Sequence, residues 1–450
     1  MSLLISRILH AGYLFEAGPT RIAFDPVFEN PFSRNCHAFP PVHFDLDGVK
    51  ALRLDAIFIS HLHDDHCSLD SLALLERATP IYMYCLFDEL FDMLGQLGFT
   101  HVHKLALNVA VRIGAIEVTP REALDADVDA RFDVRAGGMH VLNVVDAWIA
   151  DDIIEQLAAD GPWDMVLWPF QPMRELAVIA PSRAAPHVAG LPDGWIDQLR
   201  ALAPRFVVPS SCQFVQEDWS WYNHAMFPMT YQAFADAVTA ALPAVNVVRM
   251  NPGVALRLDA QGAHPAAPLA WVQPLGEQDV DFDFRPDAPA PSTAAIARRF
   301  APLEVAQAAQ VEQFCTAGLL AVYRAMELPD DSYFAQRRHW RLRLYDHLGT
   351  VRQFDYWIEG DTIARAEEAD VATSTPGWLT EVAAAKVYAA LALGESLTSL
   401  YLRVNDAVFD AASERDLVDA DIVDDPLIRC LFNDAVGAYQ AAQLRRLVGS

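Results

Sequence analysis

Three histidines and two aspartates fall within six residues, His61-Leu62-His63-Asp64-Asp65-His66, directly after the apolar run AIFIS. A short apolar run that gives way to polar residues reads as a buried strand releasing a loop. Positions 1, 3, 5 and 6 of such a loop can turn two imidazoles toward one metal ion, and a carboxylate with an imidazole toward a neighbouring ion. Imidazole nitrogen and carboxylate oxygen suit zinc, iron or manganese without any thiolate. The plain alternative is a solvated loop that happens to hold three histidines, and it accounts for neither the spacing nor the buried strand. His61, His63, Asp65 and His66 are the first candidate ligands, and Asp65 is also a candidate catalytic group.

Such a loop needs a scaffold. From residue 2 to 257, β-rich runs such as LLISRIL, YLFEA, TRIAFDP, AIFISH, AVRIGAIEVTP, HVLNVVDA, DMVLWPF and RFVVPSS alternate with helical periodicity in SLDSLALLERA, LFDELFDMLGQLG and MTYQAFADAVTAAL. Strand, helix and strand in that mixture predict a layered α/β domain. Residues 258–292 are rich in Pro, Ala and Asp without periodicity and read as a linker. Residues 293–450 read as a smaller α+β domain: a helix from AAIARRF to AVYRAM, a hairpin of HWRLRLYDHLG and TVRQFDYWIEGD, then helices over 376–448. In that last stretch AAAKVYAALALGESLTSLYLR is apolar all round and reads as a buried helix, and DIVDDPLIRCLFNDAVGAYQ as one entered through a proline.

HLHDDH matches the His-x-His-x-Asp-His signature of the metallo-β-lactamase superfamily, and HAGYLFE followed by IAFDP resembles its opening β-hairpin. The resemblance covers residues 1 to about 255. It implies a four-layered αββα sandwich with the site at one edge, where loops of both sheets converge. It also implies that His10 and Asp25 orient the ligands by hydrogen bonds; alternatively, Asp25 before Pro26 only makes a turn. A carboxylate bridging two metals is expected at the end of a later strand, and HVLNVVDAW offers Asp146. An acid there is costly to bury without a cation, although it could instead cap the helix of AWIADDIIEQL.

Hydrolases of that superfamily place a further histidine between the motif and the bridging aspartate, and this chain has none in the expected slot. Glu122, after the strand AIEVTP, is the candidate there; the alternative is an exposed charge with the third ligand elsewhere. His140 shares a strand with Asp146 and reads as structural. A carboxylate in place of an imidazole adds a negative charge worth about 4 kcal/mol at roughly 4 Å and an effective dielectric near 20. Iron can use that shift and zinc cannot. The set His61, His63, Asp65, His66, Glu122 and Asp146 resembles the di-iron oxygenase branch of the superfamily, of the kind found in chloramphenicol biosynthesis. That resemblance implies two iron ions, O2 activation after reduction, and hydroxylation of a small biosynthetic intermediate, in some cases tethered to a carrier. An external reductase would supply electrons, because the chain shows no flavin or Fe–S motif. A zinc-dependent hydrolase and a non-catalytic binding protein are the competing readings.

His224, in PSSCQFVQEDWSWYNHAMFP, is a candidate last ligand and catalytic group, or else lines a small-molecule pocket with Trp219, Trp221, Tyr222 and Phe227. His37 and His43 lie in a Pro-rich loop that either overhangs the site or stays on the surface. Cys67, next to His66, reads as a small buried residue.

Sixty acidic against 33 basic residues give a net charge of −27, which repels nucleic acid and anionic membranes. Six scattered cysteines without close pairing fit reduced thiols. With no cleavage site after the brief N-terminal apolar run, the expectation is a cytoplasmic protein. The C-terminal domain carries no ligand cluster and is expected to cap the site, to form a homodimer surface, or simply to complete the fold.

Overall fold

The computed structural model describes residues 2–125, 129–192, 194–326, 332–367, 374–406, 424–432 and 438–449. The chain divides into two compact units. The first comprises Met1–Met173, His187–Pro286 and Gln443–Ser450; the second comprises Arg174–Pro186 and Asp287–Ala442.

The strands of the first unit are β1 (Leu3–Arg7), β2 (Tyr13–Ala17), β3 (Thr20–Phe24), β4 (His37–Ala38), β5 (Val42–Phe44), β6 (Ala56–Ile59), β7 (Ile81–Met83), β8 (Val102–Lys104), β9 (Val111–Ile113), β10 (Ile116–Glu122), β11 (Ala130–Ala136), β12 (Met139–Asn143), β13 (Met165–Trp168), β14 (Phe206–Pro209), β15 (Phe214–Val215), β16 (Asn246–Val247), β17 (Ala255–Asp259), β18 (Gly262–Ala266) and β19 (Val272–Pro274). Two large sheets result, ordered β18-β17-β1-β2-β3-β6-β7-β8 and β16-β14-β13-β12-β11-β10-β9.

Alternation along the strands builds one core from both sheets. Ile5, Phe15, Ile22, Phe24 and Phe58 of the first pack with Val118, Phe132, Val134, Val141, Leu167 and Val208 of the second, all fully buried. Register lines up an aromatic row across four strands: Phe24 faces Phe58, Phe58 faces Tyr82, and Tyr82 faces His103, with ring centroids 5.4, 5.1 and 4.8 Å apart.

Within each sheet one run of strands is parallel: β3-β6-β7-β8 in the first and β12-β13-β14-β16 in the second. Parallel neighbours need crossover connections. Helices Asp88–Gln96, Asp151–Asp160, Trp195–Leu202 and Tyr231–Ala241 supply them. The inner faces are already taken by the opposite sheet, so these helices belong on the outer faces, which gives the expected four layers.

The expected linker is corrected by β17, β18 and β19. Leu258 pairs with Leu3 and extends the first sheet, β18 follows as a hairpin, and β19 pairs with β5. The stretch lacks helical or strand periodicity because β18 is an edge, where Pro265 costs no ladder bond inside the sheet. The boundary falls after Pro286.

The second unit holds a five-stranded sheet of β20 (Arg338–Tyr345), β21 (Val351–Glu359), β22 (Thr362–Arg365), β23 (Trp378–Ala383) and β24 (Arg403–Val404). The segments expected to pair as a hairpin do so, Arg338 opposite Ile358 through Tyr345 opposite Val351. The single helix expected over 294–326 is broken into Thr293–Ala297, Val305–Gln313, a π-turn at Phe314–Gly318 and Leu319–Ala325. Pro302 cannot donate within a helix, and Glu304 restarts it with a reciprocal capping box to Gln307. The helix expected to be buried spans Ala384–Leu393 but buries only Val387 and Ala389 and exposes Leu393, and it stops at Gly394, whose φ of 70° lies in the left-handed region. Pro426 opens the helix Pro426–Phe432, and the flanking residues 421–423 and 433–437 lie outside the described residues. No helix among the described residues is long and apolar enough to cross a membrane.

One buried side chain joins loops that matter below. The guanidinium of Arg7 donates to Pro209 O at 3.0 Å, to Ser210 O at 2.6 Å and to His10 O, tying the β1–β2 loop to the end of β14. Replacing Arg7 by Met leaves three buried carbonyls without donors at roughly 1–3 kcal/mol each. Arg7→Met is therefore expected to lower the first thermal transition by several degrees; an unchanged melting curve would remove Arg7 from this role.

Candidate metal centre

The chemistry gathers at one end of the two sheets. β3 ends at Phe24 and delivers Asp25, β6 ends at Ile59 and delivers Ser60 through His66, and β12 leads into Asp146. These are carboxyl ends of parallel strands, where α/β sheets place their ligands. β11 runs antiparallel to β12, so the residue before it, Asp129, arrives at the same end.

Two groups of potential metal ligands form there. One contains His61, His63 and Asp129; the other contains His10, Asp65, His66 and Asp146. His61 Nε2 lies 3.0 Å from His63 Nδ1, and Asp129 Oδ1 is 3.7 Å from His61 Nδ1. In the second group His66 Nε2 lies 3.0 Å from Asp146 Oδ2 and 3.7 Å from Asp65 Oδ2. Asp146 Oδ1 is 3.8 Å from His61 Nε2, so its two oxygens face one group each, as a bridging carboxylate requires. The capping alternative for Asp146 fails, since the helix it precedes is capped at Ala150.

Hydrogen bonds set the tautomers. Asp25 accepts from Ser60 N–H at 2.8 Å and from the Ser60 hydroxyl at 2.7 Å, and it faces His66 Nδ1 at 3.0 Å. A carboxylate only accepts, so His66 Nδ1 carries a proton and Nε2 is left to point inward. The Ser60 hydroxyl has spent its hydrogen on Asp25, so at 2.9 Å it accepts from His61 Nδ1, and His61 also presents Nε2. His10 is set the other way. Its Nδ1 accepts the Cys212 backbone N–H at 3.0 Å, which leaves the ring proton on Nε2, 3.1 Å from Asp65 Oδ2. In this tautomer His10 holds the Asp65 carboxylate and offers no lone pair inward.

Electrostatics fits a pair of cations. Burial opposes charge on Asp146, but His66 and His61 hold it well below the usual carboxylate range. Asp65 is lowered in the same way, with His66 and His10 overcoming burial. Asp129 goes up to about 7 through burial and the charge of Asp146. Burial disfavours a charged His66, yet Asp146 and Asp65 raise it well above the ordinary imidazole value, so a bound ion would have to displace the Nε2 proton. His61 is pushed well below that value by burial and then by His66, and stays neutral as a ligand must. Asp146 Oδ1 and Asp129 Oδ1 are buried without a hydrogen-bond partner among the described residues. Repelling carboxylates, orphaned oxygens and inward lone pairs are what bound divalent ions would resolve.

Two expected ligands lie elsewhere. Glu122 is exposed at the end of β10, opposite Ala130, outside both groups. The residue just before its ladder partner, Asp129, brings its carboxylate to the site instead. Sequence reading passed over Asp129 because it stands in the acidic run Asp125, Asp127, Asp129, where spacing alone favours none of the three; its place directly ahead of a strand was the usable signal. His224 is also outside both groups, with Nδ1–H donating to Asp283 O at 3.0 Å. Of its aromatic neighbours, Trp221, Tyr222 and Phe227 are buried, and Phe227 packs on Phe214 at 5.3 Å, so they fill the interior of the unit. His37 pairs through β4 with Val215, while His43 is exposed on β5 and lines a cavity of about 410 Å³. His140 is structural, Nε2 to Asp133 Oδ1 at 2.7 Å with its ring 3.8 Å from Trp163. Cys67 is fully buried, and burial pushes its thiol up.

No protein-family model matches the sequence, and no curated protein matches it. Among solved structures, a metallo hydrolase from Ignicoccus hospitalis matches 58% of this chain and 99% of its own, at 18% identity and a TM-score of 0.42. CmlA, a diiron β-hydroxylase from Streptomyces venezuelae, matches 57% of this chain and 54% of its own, at 17% identity and 0.40. The metallo-β-lactamase-fold protein YhfI from Bacillus subtilis matches 56% and 98%, at 13% and 0.36. The resemblance is to metallo-β-lactamase-fold proteins. A hydrolase and a hydroxylase stand side by side among them.

Metal content of variants tests these assignments. His61→Ala is expected to lose one of two ions per chain and Asp146→Ala to weaken both. His10→Gln should keep both, with affinity reduced at most about 10–100-fold as for a residue that orients a ligand. Elemental analysis after dialysis reads this, and a His10→Gln protein holding one ion would make His10 a ligand.

Proposed function

We propose that this protein is a dinuclear non-haem iron enzyme that hydroxylates a small biosynthetic intermediate with O2. The observation that carries the reading is the carboxylate of Asp129 in the group with His61 and His63. With Asp65 and Asp146 it makes three carboxylates for two ions. That charge favours the higher oxidation states of a redox metal by about 4 kcal/mol per additional carboxylate at roughly 4 Å.

His61, His63 and Asp129 would hold one ion, Asp65 and His66 the other, with Asp146 between them. Two bound iron ions would supply the one-electron and O2 chemistry that side chains lack. The reaction places one oxygen atom of O2 in a C–H bond and releases the other as water. It consumes two electrons and two protons, which an external electron-carrier protein and solvent provide. Asp25, through Ser60 and His66, keeps two imidazoles aimed inward, and His10 keeps Asp65 in place.

A zinc hydrolase is the second reading, favoured by the mixed nitrogen and oxygen ligands around His66, which zinc also accepts; bound zinc would polarise a scissile group and activate water.

Elemental analysis of protein purified without added metal, beside Asp129→His, separates the two. About two irons per chain with near-ultraviolet absorption, shifting toward zinc in the variant, is the expected result. Two zincs in both proteins would sink the oxygenase and turn the search to hydrolytic substrates.

A further inference from the structure

The outer face of the second sheet holds, at Arg131, a buried positive charge that no side chain answers with a hydrogen bond among the described residues. Arg131 on β11 is fully buried, and its Nε, Nη1 and Nη2 have no hydrogen-bond partner among the described residues. Directly opposite in register stands Arg121 on β10. Its Nη1 donates to Asn108 Oδ1 at 3.0 Å and its Nη2 to Asp133 Oδ2 at 3.0 Å, with Asp160 Oδ2 2.7 Å away, while its Nε is buried and unpartnered.

The face follows from alternation. Phe132 and Leu167 belong to the core between the sheets, so Arg131 and Trp168, one residue along each strand, point to the helix side. Trp168 Nε1 is likewise buried without an acceptor, beneath the ring of Trp195 on the helix Trp195–Leu202 at 5.9 Å. This side of the sheet thus offers several N–H donors and, at Arg131, no acceptor.

A guanidinium keeps its proton in proteins, so Arg131 carries a full positive charge. Glu122 is exposed and accepts none of the three N–H groups. Like charges directly across a ladder repel, and a buried guanidinium without a counter-charge is among the most unfavourable arrangements a core can hold. Asp133 and Asp160 are already engaged by Arg121.

We propose that Arg131, with Arg121 beside it, forms a buried site for a small monovalent anion, a carboxylate or a halide, on the outer face of the second sheet. The planar fork of a guanidinium matches a carboxylate in two parallel hydrogen bonds, and its charge accepts a halide. The site lies outside both groups of metal ligands and does not rest on the proposed reaction.

Crystals of the full chain in sodium bromide, and separately in sodium acetate, test this together with thermal melting in sodium gluconate as bromide or acetate is added. An anomalous bromide peak on the Arg131 N–H groups, or acetate density there, is the expected result, and which of them appears names the anion. The wild-type melting temperature should rise saturably, by about 3 °C or more. Arg131→Met should not respond. Water alone at the guanidinium in both crystals overturns the proposal, as does an equal melting response of wild type and variant. If Arg131→Met does not fold, the wild-type crystals decide. The bromide or acetate density at Arg131 is read apart from the metal centre.

Discussion

Asp25 is the carboxylate on which the candidate site depends. Its φ of 39° is an uncommon conformation for a residue with a side chain, and it bends the chain just where β3 ends. In that position one carboxylate engages the backbone and hydroxyl of Ser60 and the ring of His66. Two imidazoles are thereby fixed in the tautomer that can bind metal. A turn alone would not have needed an acid; the hydrogen bonds explain why an acid stands there.

Charge is balanced differently at the metal centre and on the outer face of the second sheet, which lie within two residues of each other at the start of β11. At the metal centre Asp65, Asp129 and Asp146 bring an excess of negative charge into a mostly buried space, held by His66 and His10 in part and completed by divalent cations. On the outer face of the same β10–β11 pair Arg121 is paired with Asp133 and Asp160, and the charge left without a hydrogen-bonded partner is that of Arg131. Both are consequences of one rule, that a buried ion requires an answering charge. The rule points to cations in one place and to an anion in the other.

The proposed reaction turns on one residue. Had an imidazole stood where Asp129 does, the site would have carried one less negative charge and a plain zinc hydrolase would have been the first reading. Asp129 reaches the centre through the pairing of β11 with β10 and β12, which sets the strand starts and ends at one edge.

The sequence by itself determined the ligand loop, because His61, His63, Asp65 and His66 are adjacent and the strand ahead of them is plainly apolar. It also determined Asp146, the layered α/β class and the β20–β21 hairpin, since alternation and turn chemistry are local properties. The third candidate ligand beside His61 and His63 was decided by tertiary structure. Glu122 and Asp129 are equally acidic neighbours of strands, and only the β10–β11 register turns one to solvent and the other to His61. The helix break at Pro302 was written locally and passed over, whereas the recruitment of residues 255–274 into the sheets was not: edge strands are stabilised by the backbone bonds of their neighbours and need no pattern of their own. The opposed tautomers of His10 and His66 likewise depend on Cys212 and Asp25, residues far apart in the chain that meet only when both sheets have closed.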